Sequence, residues 1–232
     1  MGFDFENGEV LLIDKPKTWT SFDVVKKLRY ALKVKKIGHA GTLDPLATGL
    51  LIVCTGKFTK KIEGYQGMDK TYEGVIEIGK TTPSYDLETS FDNENSWENI
   101  TDMDIYEAAR LQTGTFLQTP PVFSAIKVGG KRAYKSARKQ EEVVMEPRQV
   151  RVEGFEITKM ELPEVHFKIV CSKGTYIRSM AHDFGRQLGC GAHLKYLRRT
   201  AIGDYHVDKA HQLDAFVSMV NEHRADLDGS AT

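Results

Sequence analysis

The chain has 232 residues, 41% of them hydrophobic and 28% charged, and its 32 basic and 32 acidic side chains balance to zero. This composition excludes a disordered or fibrous chain and suits a globular protein that buries roughly 70% of its unfolded surface. No run approaches about 20 consecutive apolar residues, and the N-terminus lacks a basic, then apolar, leader, so neither a membrane span nor a secretory signal is expected, and the location read is cytoplasmic.

In chain order, Glu9 to Asp14 reads as a first strand, ended by Lys15-Pro16. Ser21 is expected to cap a helix whose stripe is Val24, Val25, Leu28, Ala31 and Leu32. A glycine-punctuated loop around Asp44 and a buried strand, Leu50–Cys54, follow. Lys70 to Gly79 alternates, with Tyr72, Gly74, Ile76 and Ile78 on one face. Thr101-Asp102-Met103-Asp104 has the form of a capping box opening a helix to about Gln112. Phe123 to Val128 is strand-like and closes on Gly129-Gly130, and the basic stretch to Lys139 reads as helical. Arg148–Glu161 and Glu164–Cys171 form two strands around Leu162-Pro163, with Val165, Phe167, Ile169 and Cys171 inward. A helix is expected from Thr175 to Gly189, and a last one from about Asp208 with a frayed tail after Asp226. Paired strands with inserted helices predict an α+β fold with a mostly antiparallel central sheet and flanking helices and loops.

Charge is segregated along the chain. Residues 26–36 hold six basic side chains and no acid, as do residues 127–139. Residues 86–107 hold eight acids and no base, and no function for that run follows from the sequence. One basic and one acidic face would suit a protein that docks on a phosphate backbone, and plain solvated surface would give the same pattern. Cys54, Cys171 and Cys190 are far apart and read as free, buried thiols. Cys190 and His193 have the spacing of half a zinc site, but no second ligand pair stands out, so no metal is expected.

The most informative stretch is Gly38-His39-Ala40-Gly41-Thr42-Leu43-Asp44-Pro45-Leu46-Ala47-Thr48-Gly49-Leu50-Leu51. Pro45 pushes Asp44 out of the helical region, and the glycines allow backbone angles that other residues resist. A lone Asp-Pro reads as a turn before a strand, but the whole run is far more specific. It resembles the catalytic loop of the TruB family, the tRNA pseudouridine-55 synthases, in the bacterial rather than the guide-RNA-dependent form. Ser172-Lys173-Gly174-Thr175-Tyr176-Ile177-Arg178, Leu197-Arg198-Arg199-Thr200, Lys15-Pro16 with Thr20-Ser21, and residues 118–134 resemble further family segments. The resemblance covers roughly residues 9 to 205.

What the resemblance implies is a pseudouridine synthase fold and an isomerase that flips the T-loop uridine out of its stack. Asp44 would act as the catalytic carboxylate, with Arg178 pairing with it. By position alone Arg178 reads as a surface charge in the first turn of its helix. Tyr72, otherwise a core tyrosine, would stack on the flipped base and is a candidate acceptor of the C5 proton. His39, Tyr176 and Leu197 would shape the uracil pocket. Lys15-Pro16 with Thr20-Ser21 would support the Asp44 loop, and an insertion near 119–150 would grip the T-loop and be mobile without RNA. The reading is a single catalytic domain over 1–232 with no separate C-terminal RNA-binding domain. It is expected to be monomeric, to act on the tRNA T-arm stem-loop without guide RNA, and to need no metal or organic cofactor.

Two rivals remain at this stage. One is a non-catalytic chaperone that opens the T-loop. The other is a glycoside hydrolase, which needs a second acid about 5–10 Å from the first, and Asp183 is the only loose candidate.

Overall fold

The computed structural model describes residues 3–124, 126–128, 130–134, 139 and 143–229. In chain order it has β1 (Val10–Lys15), α1 (Ser21–Leu32), β2 (Ile37–Ala40), β3 (Thr48–Thr55), α2 (Ile62–Gly67), β4 (Lys70–Ile78), β5 (Lys80–Thr81) and β6 (Asn93–Glu94). Then come α3 (Asp102–Leu111), β7 (Gly114–Gln118), β8 (Lys127–Val128), β9 (Lys131–Arg132), β10 (Arg148–Glu161) and β11 (Glu164–Cys171). The chain ends with α4 (Ile177–Leu188), β12 (Ala192–Ile202), β13 (Tyr205–His206), β14 (His211–Gln212) and α5 (Leu213–Gly229). These elements fall into two compact units, Met1–Tyr72 with Arg198–Thr232, and Glu73–Leu197. Strands β4 and β12 contribute residues to both.

In the first unit the strand order is β14-β1-β3-β12-β4, with β2 and β13 alongside. β1 pairs antiparallel with β3, and β14 lies parallel on the other edge of β1. β2 pairs antiparallel with the second half of β3, while β12 meets its first residues in parallel, Arg199 opposite Gly49. β3 is buried on both faces. Leu51 and Val53 join Leu28 of α1 and Phe216 of α5, while Leu50, Ile52 and Cys54 join Tyr65 and Ile202. A strand covered on both sides gives an unbroken apolar run rather than alternation. α1 opens with a capping box in which Thr20 accepts from the Asp23 N–H at 3.0 Å and Asp23 accepts from the Thr20 N–H.

In the second unit the order is β12-β4-β11-β10-β7. β10 and β11 form an antiparallel hairpin, and β7 pairs antiparallel with the far edge of β10. Val165, Phe167, Ile169 and Cys171 are buried, as their alternation predicts. Met180, Ala181 and Phe184 give α4 its buried face, and the Phe184 ring lies 5.7 Å from Phe155 of β10. α3 contacts α4 and β10. The mixed α and β architecture with predominantly antiparallel pairing agrees with the sequence reading.

Several boundaries differ from expectation. The N-cap of α1 is Thr20, because Thr20 keeps an extended backbone and Ser21 is already helical. α4 begins at Ile177 with extended Tyr176 as its cap residue, not at Thr175. The last helix starts at Leu213, because residues 205–212 form two short strands and a turn of 3-10 helix. Its backbone continues to Gly229, beyond the expected fraying point. Residues 122–124 bend instead of forming a strand, and among the described residues of this stretch Lys127–Val128 pairs with Lys131–Arg132 as a hairpin. The helix expected on the basic stretch falls largely on residues outside the described set. β2, β7, β12 and α2 carry no clear periodic signal, and the sequence reading does not contain them. The three cysteines are free and buried. No helix among the described residues is long and apolar enough to cross a membrane.

Candidate active site

Asp44 lies in the half-buried turn between β2 and β3, in the first unit. The Ala47 N–H donates to the Asp44 carbonyl at 3.1 Å, closing a turn with Pro45 in its favoured second position. Four neighbours fix that turn. Leu43 N–H donates to Ser21 Oγ at 2.9 Å, and the Ser21 hydroxyl returns a bond to the Leu43 carbonyl at 3.3 Å. Thr18 N–H donates to the Pro45 carbonyl at 2.8 Å. The fully buried Lys15 ammonium donates to the carbonyls of Pro16, Trp19 and Pro45 at 2.9, 2.6 and 3.3 Å. Arg199, 1% exposed, donates from Nε to the Leu50 carbonyl at 2.8 Å and from a terminal nitrogen to the Gly41 carbonyl at 3.2 Å.

This bracing depends on register. Gly49 of β3 stands opposite Lys15 of β1 on one side and Arg199 of β12 on the other. Gly49 has φ +104°, and a Cβ there would lie 2.3 Å from the Arg199 carbonyl oxygen. Glycine is therefore required both by the backbone angle and by the approach of β12. Next to it Arg198 holds Asp14 with two bonds of 3.1 and 2.7 Å, and Gln212 donates to the same carboxylate at 2.9 Å. Burial pushes Lys15 down to about 8, with the Arg199 charge lowering it further and the Asp44 and Asp23 carboxylates opposing. His39, on β2 rather than in a loop, is also held below its ordinary value by burial, then by Arg199, against a hydrogen bond with the Gly41 backbone. A group in that state is a neutral ring at neutral pH. Tyr72, 8% exposed, ends the first unit's share of β4.

Arg178, Tyr176 and Leu197 belong to the second unit. Arg178 is 3% exposed, against its positional reading as a surface charge. Its guanidinium donates to the Ser84 carbonyl at 3.0 Å and the Phe123 carbonyl at 2.9 Å, and its Nε lies 3.7 Å from Asp86 Oδ2. A buried guanidinium has five donors to satisfy, and a carboxylate with two carbonyls goes far toward that. Gln118 brackets Tyr176, accepting from its N–H at 2.8 Å and donating to its carbonyl at 3.1 Å. Ser179 Oγ donates to the Thr119 carbonyl at 2.8 Å. Leu197 is 7% exposed on β12.

The structure thus brings Asp44 together with the 15–21 segment and Arg199, and brings Arg178 together with Asp86. Asp86 was not singled out by the sequence, where it is one of eight acids in a run. Asp102 and Asp104 of that run lie in the first turn of α3, and its members from Glu88 to Glu107 are exposed. The two halves of the suggested zinc pair point elsewhere. His193 Nδ1 faces the Lys80 carbonyl at 3.0 Å, and Cys190 Sγ donates to the Gly191 carbonyl.

The family model described as TruB family pseudouridylate synthase (N terminal domain) matches residues 29–177. The model described as tRNA pseudouridylate synthase B C-terminal domain matches residues 178–231. A Flavobacterium johnsoniae protein named tRNA pseudouridine synthase B is 53% identical over 220 residues, covering 92% of this chain and 96% of its own. Its namesake in Parabacteroides distasonis is 51% identical over 211 residues, covering 88% and 90%. Among solved structures, a chain of a Cbf5-Nop10-Gar1 complex superposes with TM-score 0.71 at 27% identity, over 92% of this chain and 54% of that one. A chain of an H/ACA RNP bound to a substrate RNA containing 2'-deoxyuridine gives TM-score 0.71 at 25% identity, over 96% and 56%. The chain therefore spans a little over half the length of those two.

Proposed function

Because this chain belongs to the TruB family of pseudouridylate synthases, we propose that it isomerises the T-loop uridine of tRNA to pseudouridine, acting without guide RNA, with Asp44 as the reacting carboxylate. The reaction breaks the bond between C1′ and N1, turns the uracil, and joins C1′ to C5; C5 loses a proton and N1 gains one. It consumes no redox partner and no energy source. The observation that carries the assignment is the bracing of the Asp44 turn. Ser21, Thr18, Lys15 and Arg199 fix its backbone through five hydrogen bonds to the loop residues 41–45 on either side of the carboxylate. A carboxylate carried on a braced, half-buried turn suits a group that must meet one atom of a flipped nucleotide in a fixed pose.

In this reading Arg178 balances the Asp44 charge during the reaction, and Asp86 and the Ser84 carbonyl set its guanidinium. Tyr72 stacks on the extruded base and accepts the C5 proton. His39, as a neutral ring, contacts the flipped nucleotide without adding charge beside it, and Tyr176 and Leu197 line the uracil pocket. Extracting the base costs a few kcal/mol, which this stacking offsets. Residues of the 119–150 segment grip the T-loop.

The test is incubation with a T-arm stem-loop transcript and with full-length tRNA, followed by mapping of modified uridines. Wild-type protein converts the T-loop uridine, and Asp44→Asn loses conversion while still binding RNA. Unchanged conversion by Asp44→Asn would sink the assignment, and binding without conversion by the wild type would favour a chaperone.

A further inference from the structure

Three consecutive residues of the second unit each grip helix α4. The Ser84 carbonyl accepts from Arg178 at 3.0 Å, and the Asp86 carboxylate lies 3.7 Å from Arg178 Nε. Between them the Tyr85 ring lies flat on His182, with centroids 4.0 Å apart and planes at 15°. Arg178 and His182 are four residues apart, so they stack one turn above the other on the same helix face. The stack and the guanidinium contacts thus join the same three-residue segment to the same stripe of α4.

The segment holds an unfavourable conformation to do so. Tyr85 has φ +65°, a region that costs a bulky side chain on the order of 1–3 kcal/mol and persists only where the surroundings impose it. Its N–H donates to the Thr82 carbonyl at 3.1 Å, and its carbonyl accepts from Leu194 N–H at 2.8 Å. The hydroxyls of Thr82 and Ser84 both donate to the Asp86 carbonyl, at 2.7 and 3.1 Å. His182 Nδ1 is buried with no hydrogen-bond partner among the described residues. The imidazole is therefore placed there for its face rather than for a hydrogen bond through that nitrogen. The left-handed turn at Tyr85 is what points Ser84 O and the Asp86 side chain to one side and the phenol ring along the helix.

We propose that the Tyr85–His182 stack is a positioning clamp for Arg178: it presses residues 84–86 onto α4 so that both acceptors reach the guanidinium. Tyr85 and His182 are positioning residues, and their role rests on the reading of Arg178 as part of the active site. Removing the ring leaves Ser84 and Asp86 free to relax away, and a displacement of about 1 Å at a catalytic group can cost on the order of 100-fold in rate.

The experiment compares Tyr85→Gly, which keeps the left-handed backbone without the ring, with Tyr85→Phe, which keeps the ring. Thermal melts confirm that each variant folds. Tyr85→Gly is expected to lower kcat for full-length tRNA by about 10- to 100-fold with KM changed less than about threefold. Tyr85→Phe restores kcat to within about threefold of wild type, and adding Asp86→Asn to Tyr85→Gly costs little more, because both act through one guanidinium. Wild-type kcat in Tyr85→Gly, a loss confined to KM, or an equal loss in Tyr85→Phe overturns the clamp. An Arg178→Lys control separates this from the function itself. If that variant is inactive while Tyr85→Gly is not, the clamp alone fails; if Arg178→Lys is fully active, the active-site reading of Arg178 fails first.

Discussion

Replacing Gly49 by alanine tests the bracing of the Asp44 turn at its tightest point. The φ of +104° at Gly49 costs an alanine about 1–2 kcal/mol. The added Cβ would also stand 2.3 Å from the Arg199 carbonyl oxygen, 2.8 Å from its nitrogen and 3.0 Å from its carbonyl carbon. Ordinary contact begins roughly 1 Å further out, and the neighbour is the backbone of a buried strand, not the end of a flexible side chain. Overpacking of that kind adds about 1–3 kcal/mol. Gly41→Ala is the control. Its φ is +86°, but a Cβ there meets nothing nearer than a terminal Arg199 nitrogen at 3.6 Å, so only the backbone cost remains. Urea unfolding should therefore rank Gly49→Ala about 1–3 kcal/mol below Gly41→Ala. In the folded fraction, a shift of β12 against β3 moves Arg199 and the carbonyls it holds at Leu50 and Gly41. Conversion of the T-loop uridine should fall on the order of 100-fold in Gly49→Ala and far less in Gly41→Ala. Equal stability and equal turnover in the two variants would refute the claim that β12 pins the loop through this approach.

Two further outcomes follow from Lys15 and from the cap of α3. Native Lys15 loses its proton near pH 8, whereas the unfolded chain keeps it to about 10.5. Between those values the unfolded state binds more protons, so Lys15 makes stability rise with pH there, by at most about 1.4 kcal/mol per unit. Wild type should gain on Lys15→Met as pH goes from 8 to 9 in urea titrations, and a gap that narrows would contradict the buried, depressed ammonium. Thr101→Ala removes both the side-chain bond to Asp104 N–H and the hydroxyl bond to the Asp104 carboxylate, at an exposed position. It should cost about 1 kcal/mol, a melting shift of roughly 2–4 °C, with tRNA turnover unchanged. A neutral melt would show that α3 does not depend on its capping box.

The sequence by itself determined the local features. The Thr101–Asp104 box, the paired strands 148–161 and 164–171, the apolar stripe of α1 and the glycine-bounded Asp44 motif are all written in residues within a turn or a strand of one another, and near-neighbour sterics and hydrogen bonds decide them. The motif also identified the chemistry, because a run that long carries more information than any composition or periodicity. Tertiary structure decided which charges are buried. Arg178 beside Ile177 looks like any helix-surface arginine until the 84–86 segment, more than 90 residues earlier, supplies a carboxylate and a carbonyl. Asp86 looks like its exposed neighbours in an acidic run until Arg178 meets it. Lys15 and Arg199 become the two flanks of Gly49 only once β1, β3 and β12 are in register. Burying a charge is expensive unless partners from elsewhere in the chain arrive with matched geometry, and no local pattern encodes that arrival.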